Sequence, residues 1–266
     1  MRHLIPVLAL VASPLFADQI DPSDVSALPS VDVLFLGELH DNPWHHENQT
    51  KIVAAVSPKA VVYEMLTPEQ ADRVSPDLVQ DQERLQDVLA WNASGWPNFS
   101  LYYPIFRAAP LVSVYGAQVP RADVRDAIMG QDLAIGFGPN AAQYGLTTPL
   151  SEQEQAQREA KQFEAHCNAL PEEMLPGMVL GQRLRDATLA REIERALAET
   201  GGPVVVITGN GHARKDWGAP ALLTSDISQR SVAQFELAPK GDQPFDYWVI
   251  TAEAAREDPC LAFRKD

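Results

Sequence analysis

Short apolar runs rich in β-branched residues recur along the chain, each closed by a glycine or a charged residue. Val31-Asp32-Val33-Leu34-Phe35-Leu36 runs into Gly37, and Ala60-Val61-Val62-Tyr63 into Glu64. Leu111-Val112-Ser113-Val114-Tyr115 ends at Gly116, and Val204-Val205-Val206-Ile207-Thr208 at Gly209. Runs of this length and composition predict strands buried on both faces, as in a parallel sheet. Between them the pattern turns helical. Asp41-Asn42-Pro43 opens a helix over 44–56, with proline in the first turn where its missing N–H is harmless. Thr67-Pro68-Glu69-Gln70 and Ser151-Glu152-Gln153-Glu154 read as capping boxes. They start short aromatic-rich helices over 67–110 and a polar helix over 151–168. A short helix is expected over 121–129 and a loop over 136–149. The longest helix is expected over 178–199, where Leu180, Leu184, Ala187, Ile193 and Leu197 share one face before Gly201-Gly202 ends it.

Two late apolar runs, 231–237 and 247–251, are separated by polar loop and read as a hairpin. The predicted fold class is therefore α/β: a central, mostly parallel sheet flanked by helices, with an antiparallel edge hairpin. Helical insertions over 67–110 and 130–175 would cover the C-terminal ends of the strands. Ligands of such sheets bind beyond those ends.

Length and composition sharpen this. The chain has 266 residues and 45% hydrophobic composition, enough for one α/β domain over 18–266. Residues 1–17 read as a secretory signal peptide: Arg2 and His3, then the apolar stretch from Leu4 to Ala12, then Ser13-Pro14-Leu15-Phe16-Ala17, with the cut before Asp18. The stretch is too short to span a bilayer as a helix. An uncleaved anchor or a buried N-terminal helix is the blander reading. No cysteine lies near the cut, so a lipid anchor is not expected. Export implies an oxidising compartment, where Cys167 and Cys260 would pair as a disulfide. A formal charge of −15 argues against nucleic acid and anionic membrane as partners. No later transmembrane stretch follows.

Candidate chemistry gathers at the strand ends. Gly37-Glu38-Leu39-His40 and Gly209-Asn210-Gly211-His212 are two Gly-x-x-His motifs, and Glu64 closes a third strand. Glu38, His40, Glu64 and His212 could meet beyond one sheet edge. Glu38, His40 and His212 could hold a divalent metal with open positions. Without metal, the same groups could act as general acid and base, or His40 and His212 could orient an iron-containing cofactor. The bland alternative for each histidine is a hydrogen-bonded structural residue. It is weaker for Glu64, because a carboxylate closing an apolar run is costly to bury unpartnered. For His45-His46-Glu47 a solvated helix face is expected for at least one imidazole. Arg183 and Asp186, three apart, share a helix face as an ion pair or as support for the site. Trp91, Trp96, Phe99, Tyr102, Tyr103 and Phe106 could line a haem pocket or form ordinary core. Tyrosine can ligate haem iron, but nothing singles out one of the six tyrosines. No Cys-x-x-Cys-His, Walker loop, Gly-x-Ser-x-Gly or His-Glu-x-x-His is present.

Several of these blocks together resemble the ChaN-like haem-binding family of the Tiki/TraB/erythromycin-esterase superfamily. They are Val33 to Pro43, Val61-Val62-Tyr63-Glu64-Met65, Gln182 to Ala190, Ile207 to His212, and Trp217-Gly218-Ala219-Pro220. The resemblance implies an α/β sheet fold, export, and haem or iron handling, with haem or an iron complex as partner. It also implies that Glu38, His40, Glu64 and His212 form the shared polar site. Some members of the superfamily are metal-dependent proteases or hydrolases, which keeps that alternative open. The missing lipobox cysteine is a departure and places the protein free in the periplasm. Self-association into a homodimer is left open.

Overall fold

A computed structural model describes residues 17–25, 28–130, 132–258 and 260–261. Apart from Ala17, the expected signal peptide lies outside the described residues. In chain order the elements are β1 (Asp18–Gln19), β2 (Val33–Glu38), α1 (Pro43–Val56), β3 (Ala60–Tyr63), α2 (Pro68–Ala71), α3 (Gln82–Val88), α4 (Phe99–Ala108) and β4 (Ser113–Gly116). Then come α5 (Arg121–Gly130), α6 (Leu133–Phe137), α7 (Glu152–Ala165), α8 (Leu175–Thr200), β5 (Val204–Gly209), β6 (Gln229–Phe235) and β7 (Tyr247–Ile250).

The seven strands form one sheet in the order β1-β7-β6-β2-β5-β3-β4. Every neighbouring pair is parallel. The expected antiparallel hairpin is thus corrected: β6 and β7 run the same way. Segment 236–246 carries the chain back to the start of the sheet instead of reversing it, and the Asp246 N–H donates to Ser231 O there. A parallel pair needs a connection of about a dozen residues, and this segment is just long enough.

Alternation along the central strands explains the layers. In β2, Val33 and Phe35 point to one face with Val204 and Val206 of β5, packing on Leu184, Ala187 and Ile193 of α8. Leu34, Leu36, Val205 and Ile207 point to the other face, onto Ile52 and Val53 of α1 and Phe99, Ile105 and Phe106 of α4. Helices on both faces are what a sheet apolar on both sides requires. Burial stabilises each such side chain by about 1.5–3 kcal/mol. Phe106 stacks on Tyr63 of β3 with ring centroids 4.4 Å apart, fixing α4 over the sheet.

Local signals behave as their chemistry demands. Asn42 caps α1, accepting from the N–H groups of Trp44 and His45. Thr67 and Gln70 form the reciprocal capping box of α2. Ser151 caps α7 through the Glu154 N–H. Cys167 and Cys260 are joined as a disulfide, tying the C-terminal segment to the turn after α7. Among the described residues no helix is long and apolar enough to cross a membrane.

Candidate functional site

β2 and β5 lie side by side with Gly37 opposite Thr208 and Glu38 opposite Gly209, so the two Gly-x-x-His motifs meet at their first residues. They interlock there. A Cβ on Gly209 would sit 3.0 Å from His40 Nε2, and a Cβ on Gly37 would sit 2.4 Å from Asn210 Oδ1. Each motif's first glycine is the space for a side chain of the other. Gly211, by contrast, has open space around it. Asn210 is itself fixed: its N–H donates to Glu38 O at 3.0 Å, its amide donates to Gln234 O at 2.7 Å, and its Oδ1 accepts from the Gln234 N–H.

Each motif histidine holds a carboxylate on Nδ1. His40 Nδ1 lies 2.7 Å from Glu38 Oε1, which also accepts from the Tyr102 hydroxyl at 2.7 Å. Gln49 donates to Glu38 Oε2 at 2.7 Å. Burial alone would raise the Glu38 carboxyl. The adjacent His46 and His40 rings and the hydrogen bonds from His40 and Tyr102 outweigh it and hold it down at about 2. For His40, burial opposes the charged form, but the bond to Glu38 and the charges of Glu64, Glu38 and Asp41 push it up to about 9. His212 Nδ1 lies 2.6 Å from Asp186 Oδ1 on α8. Burial works against its charge too, yet Glu64 and Asp186 together raise it. Burial also raises the Asp186 carboxyl.

Glu64 sits between the two pairs. Its Oε2 accepts from the Thr208 hydroxyl at 2.6 Å and the Gly209 N–H at 2.8 Å. Its Oε1 stands 3.6 Å from His212 Nε2. Burial raises this carboxyl, and His212, His40 and the bonds from β5 more than reverse the effect. Two hydrogen-bonded pairs, Glu38–His40 at the end of β2 and Asp186–His212 joining α8 to the turn after β5, thus flank Glu64 at the end of β3.

Other expectations are corrected. Neither His45 nor His46 lies on a solvated face; both are buried because α1 is sandwiched between the sheet and α4. His45 Nδ1 accepts from the Leu39 N–H at 2.8 Å, and burial pushes this imidazole down to about 4. His46 Nε2 bonds His40 O at 2.9 Å. Glu47 faces outward with Lys51. Arg183 does not pair with Asp186; it donates to Gly145 O and Thr148 O, tying down the loop ahead of α7. Among the described residues, no group of three His, Cys, Asp or Glu stands where it could hold a metal ion. In the expected set, Glu38 turns its oxygens to His40, Tyr102 and Gln49.

A cavity of about 270 Å³ opens over this cluster. His40, Glu64 and His212 form its floor, with Trp96, Gln118, Arg121 and Arg185 around it. Trp96 meets His40 edge-on, ring centroids 4.9 Å apart. With the Gln118 amide oriented to satisfy both neighbours, it accepts from Trp96 Nε1 at 3.1 Å and donates to Met65 O. Sequence reasoning missed Arg121, Arg185, Gln49 and Asn210. Asn210 lay inside the second Gly-x-x-His motif, Arg185 inside the Gln182 to Ala190 block, and Gln49 one helical turn beyond His45-His46; Arg121 carried no such signal. No tyrosine lines the cavity: Tyr102 serves Glu38, and Tyr115 and Tyr144 donate to Glu199 and Glu194.

Residues 25–223 match the model of the family described as haem-binding uptake, Tiki superfamily, ChaN, and the chain belongs to that family. Among solved structures it is similar to one described as cofacial haem binding to ChaN of Campylobacter jejuni, at 19% identity and a TM-score of 0.59, covering 85% of this chain and 89% of that one. More distant is the type III effector HopBA1, at 12% identity and a TM-score of 0.45, covering 87% and 92%. An erythromycin esterase EreC mutant follows at 11% identity and a TM-score of 0.40, covering 81% and 75%. The first likeness shows the fold; the other two carry no argument. No curated protein matches the sequence.

Proposed function

We propose that this is an exported haem-binding protein of haem and iron uptake, with haem seated at the cavity over His40 and His212. The observation that carries the reading is the cavity itself, in a chain that belongs to a haem-binding uptake family. It lies beyond the carboxyl ends of the strands, where α/β sheets bind ligands, and offers an indole wall with imidazole and guanidinium groups to a flat, apolar dicarboxylate. The Campylobacter jejuni protein of the same fold binds haem cofacially, and the same cargo is proposed here. In this reading residues 1–17 are a cleaved leader and 18–266 form one periplasmic domain, consistent with the Cys167–Cys260 disulfide. Nothing in the geometry favours the metal-dependent hydrolase over this reading. Titrating the purified protein with hemin tests it: a Soret band that saturates at a defined stoichiometry is expected, and an unchanged hemin spectrum would overturn it.

A further inference from the structure

Gln234 sits near the end of β6, 2% exposed, and is set back from the cavity, whose lining does not include it. Burying an amide is costly unless its polar atoms find partners. Here they do. The side-chain Nε2 donates to Gly37 O at 2.9 Å and to His45 O at 3.2 Å. Oε1 accepts from Asn48 Nδ2 at 2.9 Å. The main chain is taken up by Asn210, whose Oδ1 accepts from the Gln234 N–H at 3.1 Å and whose Nδ2 donates to Gln234 O at 2.7 Å.

The place of these bonds in the sheet explains what they do. β6 pairs with β2 from Gln229 opposite Val33 to Val232 opposite Leu36. Two residues later that ladder has ended, and the side-chain amide of Asn210 takes the position of the neighbouring strand. It can enter because residue 37 is glycine, where a Cβ would stand 2.4 Å from Asn210 Oδ1. Gln234 thus reaches three parts of the molecule at once. Its side chain grips the first motif at Gly37 and α1 at His45 and Asn48, and its main chain grips the second motif at Asn210. α1 in turn carries Gln49, which donates to Glu38, and His46, which bonds His40 O. None of the Gln234 bonds goes to His40 or His212. An apolar side chain of similar volume would fill the same space but could not fix direction, whereas a fully satisfied buried amide rigidifies one arrangement.

We infer that Gln234 is a positioning residue: it sets the spacing and angle of the two Gly-x-x-His motifs against each other, and through them the placement of His40 and His212 across the cavity floor. Groups behind a site hold its side chains in register in this way, and a site without them is loose. The inference goes beyond the haem reading and rests on no particular cargo, so the two stand or fall separately.

The test reads the imidazole signals of the ligand-free mature chain by nuclear magnetic resonance at one pH, assigned with His40→Gln, His166→Gln and His212→Gln. Gln234→Met deletes the side-chain bonds and keeps the main-chain ones. It is expected to shift the His40 signals and to leave those of His212 and of His166, which lies at the end of α7 away from these bonds. Asn210→Ala cuts the main-chain arm and is expected to shift His40 and His212 together. A loss of stability alone moves no ring signal of the folded state, so the pattern separates positioning from bulk support. Unchanged His40 signals in Gln234→Met overturn the inference, as do shifts that reach His166 equally. So does an Asn210→Ala protein in which only His212 moves, because the motifs are then held independently. Where Gln234→Met fails to fold, Asn48→Ala removes one of the same bonds from the α1 side and is judged by the same criterion. Hemin titration adds a second reading: Gln234→Met is expected to bind hemin roughly tenfold more weakly than wild type, and equal affinities overturn the inference. Wild type that binds no hemin overturns the haem reading alone, and the ring signals then decide this one.

Discussion

The two histidine–carboxylate pairs look alike and are built in opposite ways. His40 takes its partner from two residues upstream on the same strand end, and its ring is 33% exposed, toward the cavity. His212 takes its partner from α8, reaching across elements to Asp186, and its ring is only 9% exposed. The first pair is local in sequence but anchored by remote groups, Tyr102 and Gln49. The second is remote in sequence and depends on how α8 docks against β5. One is the open face of the cluster and the other its closed support.

The sharpest way to break this comparison is to delete each carboxylate. Glu38→Ala strands Tyr102, Gln49 and His40 at once, and a loss of about 3–5 kcal/mol in urea unfolding is expected. Asp186→Ala strands one imidazole that can shed its proton, so about 1–3 kcal/mol is expected. Equal losses would mean the two pairs are energetically equivalent after all. Next come the glycines. Gly209→Ala drives a methyl against His40 Nε2 and should cost about 1–3 kcal/mol as the imidazole is displaced. Gly211→Ala meets nothing and should stay within about 0.5 kcal/mol. A large loss at Gly211 would contradict the interlock as the source of the glycine requirement.

The smallest effects are in pH. A histidine whose folded pKa is raised contributes stability that is complete below its unfolded value near 6.5 and lost as pH rises through the folded one. For His40 that window runs from 6.5 to about 9. His45 has the opposite sign, because its folded pKa is depressed to about 4: protonation is resisted, and stability falls as pH drops from 6.5 toward 4. Glu38, held at about 2, adds a loss as pH falls below its ordinary 4.5. Urea midpoints measured across pH should therefore decline on both sides of neutrality. His40→Gln should make the alkaline limb shallower, the raised His212 keeping part of it, and should weaken the acid limb by the share of the Glu38 shift that His40 supplies; an alkaline limb unchanged by the substitution would show that His40 does not contribute to it.

Much of the framework was legible because it is local. β-branched runs ending in glycine or glutamate marked β2, β3, β4 and β5, and Glu64 at the close of a strand announced a partnered carboxylate. What escaped was set by tertiary direction. Segment 236–246 has the same polar character whether it reverses the chain or carries it over, so the parallel β6–β7 pair read as a hairpin. Helical spacing puts Arg183, Arg185 and Asp186 on one helix but does not say which of them meets β5. The structure sends Arg183 to a loop, Asp186 to His212 and Arg185 to the cavity. His45 and His46 gave no hint of burial, because the cover over α1 comes from α4, more than forty residues later in the chain.

The reciprocal fit of Gly37 with Asn210 and of Gly209 with His40 has a bearing on how such a site can change. Neither motif is an independent variable. A side chain introduced at position 37 is felt first by the second motif, and one at 209 by the first. Randomising either stretch alone would mostly sample jammed strand ends. Redesign of the pocket floor has to treat residues 37–40 and 209–212 as a single unit of variation, discontinuous in the gene and contiguous in space.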